Sequence, residues 1–225
     1  MSDEGHNTDA GALTAWVPDL LYVGGRFERG RALVCDARGR VREVSNADAA
    51  RAGRVVPLRG RAMLPGLVNA HSHAFQRVIR GRTEHRSRAS TDSFWTWREM
   101  MYSAAARLTP EDLYDASRMV FTEMALSGIT SVGEFHYLHR APEGCEYADP
   151  NLLAKEVVRA ARDTGLRIAL LRVAYARSGF QTPPNERQRR FIEHDPQTFI
   201  RNAEALASRL ARDDADGGGD AHGGA

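Results

Sequence analysis

The sequence predicts an α/β fold: a small β unit, then about three βα units, too few to close an eight-unit (β/α)₈ barrel of about 250 residues. Three observations carry this expectation. Twice along the chain a helix start, an apolar helical face, a glycine and an apolar strand follow in that order. Ahead of them, from Asp19 to Leu58, short apolar runs alternate with turns. The 225 residues, 42% of them hydrophobic, are enough for a real core.

In order along the chain, residues 1–12 are small and polar and read as a disordered start. Residues 13–60 form the β unit. Leu20 to Val23 is one run, and Ala32 to Cys35 pairs with Val41 to Val44 around the turn Asp36-Ala37-Arg38-Gly39. Residues 61–212 then follow the helix and strand rhythm, beginning with a strand near 63–70. Thr109-Pro110-Glu111-Asp112 is a helix start, with a capping hydroxyl, proline at the first helical position and acids in the first turn. Leu113, Val120 and Met124 fall on one face, Gly128 stops the helix, and a strand runs from Ile129 to Phe135. Asp149-Pro150 opens the next helix, with Leu153, Val157 and Ala161 as its apolar face, Gly165 as its stop and Leu166 to Val173 as a buried strand. A third helix opens at Asp195-Pro196 and carries Phe199, Ala203, Leu206 and Leu210 at helical spacing. Residues 213–225 hold no apolar side chain larger than alanine and are expected to be a disordered Gly/Asp-rich tail. Three parallel strands would leave apolar faces uncovered.

The bulk numbers exclude several classes. With 31 basic and 29 acidic residues, no nucleic-acid partner is indicated. Cys35 and Cys145 stand far apart without CxxC spacing, which argues against a disulfide framework or a cysteine zinc site. The N-terminus lacks an apolar signal region, and no apolar run approaches the roughly 18 residues of a membrane span, so the expected location is the cytoplasm.

Chemistry enters at Leu64-Pro65-Gly66-Leu67-Val68-Asn69-Ala70-His71-Ser72-His73. Side chains at i and i+2 of a strand share a face, and two residues rise only about 6.6 Å. Both imidazoles can therefore reach one metal ion. A catalytic zinc usually takes three protein ligands and a water, so the pair opens a site without completing it.

This string behind an N-terminal β unit resembles the amidohydrolase superfamily. Further segments are similar to the formimidoylglutamate deiminases within it: His73-Ala74-Phe75-Gln76-Arg77, Asp92-Ser93-Phe94-Trp95-Thr96-Trp97-Arg98-Glu99-Met100-Met101-Tyr102, Glu134-Phe135-His136-Tyr137 and Tyr175-Ala176-Arg177-Ser178-Gly179-Phe180. The similarity runs from about residue 14 to about 210. It implies an incomplete TIM-type (β/α) barrel over 61–212, preceded by part of a small β-sandwich over 13–60. It also implies that His71 and His73 hold one zinc, that Gln76, Arg98 and Tyr137 bind a small dicarboxylate, and that the assembly is a homodimer. The implied reaction is hydrolysis of N-formimidoyl-L-glutamate to N-formyl-L-glutamate and ammonia. The family's remaining metal ligands and its general acid/base have no match between Gly179 and Ala225, where His194 and His222 lie in loop or tail contexts. No catalytic acid or base is therefore assigned. Two alternatives stand beside this reading: a truncated and catalytically inert fragment, and a related amidohydrolase acting on an aminopurine, a guanidine or an s-triazine.

Plainer roles remain open for several residues. Arg98 can be a surface arginine whose stem lies on Trp95 and Trp97. Glu134 and His136 sit at a strand end, where supporting and merely structural roles are equally open. The run Arg187-Gln188-Arg189-Arg190 reads as a solvated face. Cys35, His85 and His139 carry no functional expectation.

Overall fold

The computed structural model describes residues 13–84 and 94–216, with backbone alone at 214–216. The expected disordered start at 1–12, tail residues 217–225, Asp92 and Ser93 of the resemblance segment, His85 and His222 lie outside the described residues. Two compact units divide at Pro65 and Gly66.

In the first unit, strands β1 (Thr14–Val23), β2 (Arg26–Glu28), β3 (Arg31–Cys35), β4 (Val41–Asn46) and β5 (Arg54–Met63) form one sheet. Its path β2-β1-β3-β4 is antiparallel, and β5 lies parallel to β1. The predicted hairpin is present: β3 pairs with β4, and Asp36 Oδ1 accepts the Arg38 and Arg40 amides at 3.0 and 2.9 Å. Gly39 takes φ +72°, which a side chain would resist. Pro18 has no amide hydrogen to give, and the β1/β5 register shifts between Pro18 and Leu20. There the Gly60 amide turns to the Asp19 carboxylate instead, at 2.8 Å.

The second unit holds strands β6 (Leu67–Ser72), β7 (Ile129–His136) and β8 (Arg167–Arg172) in a parallel sheet ordered β6-β7-β8. Helices α1 (Phe94–Ala105), α2 (Pro110–Leu126), α3 (Leu152–Asp163) and α4 (Pro196–Asp216) accompany it, which is the α/β arrangement of three βα units expected from the sequence. The Thr109 hydroxyl and the Asp112 carboxylate form a reciprocal capping box at the start of α2. Leu113, Phe121 and Met124 on that helix are buried, and Phe121 is fully enclosed, a burial worth about 1.5–3 kcal/mol for such a side chain. Gly128 and Gly165, at φ +81° and +74°, let the chain leave α2 and α3 for the strands that follow. Gly66 has a different reason: a Cβ there would collide with the Thr130 side chain on β7, so the Pro-Gly entry lets two parallel chains approach closely.

Three boundaries differ from expectation. The first barrel strand runs Leu67–Ser72 rather than near 63–70, because residues 54–63 are claimed by β5 and its pairing with β1. Asp149 makes a turn through the Asn151 and Leu152 amides, and α3 starts only at Leu152. The third helix continues to Asp216, past the expected tail boundary at 213. Asp213 is held by Arg209, at 2.8 Å one turn earlier, and by Arg162 of α3 at 3.5 Å. The expected uncovered apolar surface is present: Val68 on β6 is 70% exposed and Leu171 on β8 is 50% exposed. Among the described residues, no helix is long and apolar enough to cross a membrane.

Candidate metal and substrate site

The site lies at the C-terminal ends of β6 and β7. The β6/β7 register slips between Asn69 and Ser72. Asn69 turns toward Met124 of α2, while Ser72 is buried opposite Glu134. His71 and His73 project together, as the i, i+2 spacing predicts, and their Nε2 atoms stand 3.1 Å apart. Tetrahedral nitrogen ligands at about 2.0–2.1 Å from a zinc would be roughly 3.3 Å apart, so this separation suits two donors to one ion. His73 Nδ1 lies 3.0 Å from the Phe135 carbonyl oxygen. A carbonyl can only accept, so Nδ1 carries the proton and Nε2 keeps its lone pair. Partial burial lowers the His73 pKa, opposed by that carbonyl and aided by His71, which favours the neutral, ligating form. Among the described residues, no group of three or more His, Cys, Asp or Glu side chains could hold a metal. The two histidines fit as part of a ligand set.

Glu134 supports the pair from behind. Its Oε1 accepts the amide of Ala74, the residue after His73, at 2.6 Å. Burial lifts its carboxyl pKa to about 7, against the pull of Ser72 and the Ala74 amide.

A cavity of about 340 Å³ brings the predicted substrate residues together, with Gln76, Arg98 and Tyr137 all lining it beside His73. Gln76 Nε2 donates to the Tyr137 hydroxyl at 2.9 Å. Burial pushes the Tyr137 phenol well above its usual range, so it stays protonated and able to donate. Arg98 stands on α1, its Nε donating to the Tyr102 hydroxyl at 2.6 Å and its guanidinium carbon 5.4 and 5.1 Å from the Trp95 and Tyr102 ring centroids. The plainer reading of Arg98 is therefore correct for packing, except that Tyr102 supplies the second ring rather than Trp97.

Sequence reasoning missed several side chains here. Trp97, Tyr102, Tyr175 and Phe191 wall the cavity. Three of them fall within the segments that carry the resemblance, but Phe191 has no sequence signal beyond being an apolar residue after a charge run. That charge run is also a correction. Arg187-Gln188-Arg189-Arg190 is not a solvated face, because Gln188 and Arg190 are each only 1% exposed. Gln188 donates to the Tyr102 hydroxyl at 3.2 Å, and Arg190 donates to the carbonyls of Ala105, Leu108 and Arg140.

Behind the sheet, a second polar cluster joins the strand ends. His136 of β7 lies in register with Arg172 of β8. Arg172 pairs with Glu193 at 3.4 Å, both side chains nearly enclosed, and bonds Asn151 Oδ1 at 3.1 Å. His139 Nε2 meets the Val173 carbonyl at 2.7 Å. Burial holds His136 far below the usual histidine range and His139 near 3, with the Arg172 charge acting in the same direction on both.

Comparison with known proteins agrees with this geometry. The model of the amidohydrolase family matches residues 62–224. The formimidoylglutamate deiminase of Pseudomonas aeruginosa is 47% identical over 134 residues, 59% of this chain and 29% of that protein. The crystal structure of an amidohydrolase from Brucella melitensis superposes with a TM-score of 0.78 at 34% identity, covering 88% of this chain and 43% of the other. The zinc-complexed atrazine chlorohydrolase TrzN of Arthrobacter aurescens shares the fold at a TM-score of 0.64 and 19% identity, covering 88% of this chain and 42% of that one. The chain thus spans less than half the length of these relatives. With the family model covering most of the chain, and the paired histidines at the end of the first parallel strand, this protein belongs to the amidohydrolase family.

Proposed function

We propose that the chain provides metal-binding and carboxylate-binding parts of a zinc-dependent deiminase that converts N-formimidoyl-L-glutamate and water to N-formyl-L-glutamate and ammonia. The observation that carries this reading is the single cavity in which His73, Gln76, Arg98 and Tyr137 meet. The similarity to the Pseudomonas enzyme supports the substrate.

His71 and His73 would hold the zinc, which when bound supplies Lewis acidity for activating water against a carbon–nitrogen bond. Arg98 offers a planar, permanently charged fork to one carboxylate of the substrate, a geometry that favours bidentate pairing. Gln76 and the protonated Tyr137 phenol orient the remaining polar groups through neutral hydrogen bonds. The rings of Tyr102, Tyr137, Tyr175 and Phe191 exclude water from the contact and strengthen it.

The aromatic walls also favour a second reading, a flat heterocycle such as an aminopurine. One titration separates the two. Calorimetry of the zinc-loaded chain with N-formimidoyl-L-glutamate, glutarate and adenine is expected to show binding of the two dicarboxylates and not of adenine. Arg98→Met should weaken both by about 100-fold, near 3 kcal/mol for a lost charge-assisted pair, with zinc content unchanged. Equal affinities in parent and variant would remove the dicarboxylate assignment.

A further inference from the structure

Arg98 is held in an arrangement more elaborate than packing requires. Arg98 and Tyr102 are one turn apart on α1 and face the same way. The Tyr102 hydroxyl receives two donors, Arg98 Nε at 2.6 Å and Gln188 Nε2 at 3.2 Å. Gln188 comes from a loop 86 residues further along the chain and is almost completely enclosed. Its own Oε1 accepts the Asn185 amide at 3.3 Å, which fixes the orientation of the side-chain amide. A buried amide is costly unless bonded, and a methionine or leucine would fill the same space without that cost. The bond to Tyr102 is what the glutamine gains.

The loop is itself clamped. Arg190 sends Nη1 to the Ala105 and Leu108 carbonyls, the latter at 2.9 Å, and Nε to the Arg140 carbonyl at 2.8 Å. Two of these acceptors are at and just beyond the C-terminus of α1, where helix carbonyls lack internal partners. The loop and helix therefore hold a fixed separation, and Gln188 meets Tyr102 at a fixed height along α1.

We infer that Gln188 and Tyr102 are positioning residues for Arg98: the glutamine amide holds the phenol and the phenol holds Nε, so the guanidinium turns its paired Nη edge to the cavity and selects a carboxylate over a neutral ligand. The selectivity rests on the deiminase reading above, whereas the holding of Nε does not. A guanidinium fixed through Nε loses less freedom on binding than one that rotates on its stem, which favours bidentate pairing.

Two measurements on the full chain test this. The first is the ¹⁵N-resolved Nε–H signal of Arg98 in the ligand-free protein, which is expected to exchange slowly with solvent. Exchange should quicken at least tenfold in Gln188→Met and in Tyr102→Phe, both with unchanged far-ultraviolet circular dichroism. Equal protection in either folded variant overturns the inference. The second compares glutarate with glutaramide, a neutral analogue of the same length. The parent should prefer glutarate, and Gln188→Met should reduce that preference about tenfold. A preference kept intact while Nε–H protection is lost overturns the selectivity. A parent that prefers neither ligand removes the dicarboxylate reading, and the exchange measurement still decides whether Nε is held.

Discussion

Two histidine pairs sit on the same parallel sheet and have opposite fates. His71 and His73 bring their Nε2 atoms to 3.1 Å beside a cavity. His136 and His139 end in a nearly sealed cluster with Arg172 and Glu193. Both pairs have lowered basicity in at least one ring, so a depressed pKa does not separate a functional histidine from a structural one. What separates them is where the ring nitrogens point. In the first pair they converge on shared space. In the second, His139 spends a nitrogen on the Val173 carbonyl, locking the end of β7 to the chain leaving β8.

The largest effect that would test this contrast is on stability. Arg172→Met strands the buried Glu193 carboxylate and should cost about 3–5 kcal/mol, read as a lower urea midpoint. His71→Asn at its exposed position should stay within about 0.5 kcal/mol of the parent. A similar loss in both would erase the division of roles.

Metal affinity should divide the pairs the other way. His71→Asn and His73→Asn are each expected to weaken zinc binding tenfold or more, at least about 1.4 kcal/mol, in competition titrations with a chelating dye. His139→Gln should leave zinc affinity unaltered. A zinc loss from His139→Gln equal to that from His73→Asn would place the metal elsewhere.

The smallest effect is a slope against pH. His139 is neutral in the fold until about pH 3, whereas in the unfolded chain it gains a proton near pH 6.5. The unfolded state thus binds more protons between these values, and stability falls as the pH drops through them, by about 1.4 kcal/mol per pH unit. Glu134 acts in the opposite sense: its raised pKa, about 7, gives stability present at low pH and lost as pH rises toward 7. Replacing His139 by glutamine should flatten the acid side of the stability profile between pH 6.5 and 4.5. An unchanged slope would show that His139 takes up its proton in the folded state.

Much of the second unit could be read directly from the chain because its signals are local. The Thr109 cap, the Gly128 and Gly165 stops and the apolar faces of α2 and α3 each involve residues a few positions apart. The histidine pair belongs to this class, since strand alternation alone sets its direction. The support around Arg98 does not. Gln188 and Arg190 owe their burial to partners more than 80 residues away, and four consecutive polar residues look solvated when no partner is in sight. The end of α4 was hidden for a related reason: Asp213 is ordinary tail composition until Arg162 on another helix is placed beside it.

The Phe135 carbonyl that sets the proton on His73 belongs to the main chain of β7. Any residue at 135 that keeps the strand supplies the same acceptor at the same place. The choice of ligating nitrogen is therefore insulated from side-chain drift at that position, and position 135 is free to vary with whatever shape the cavity wall needs.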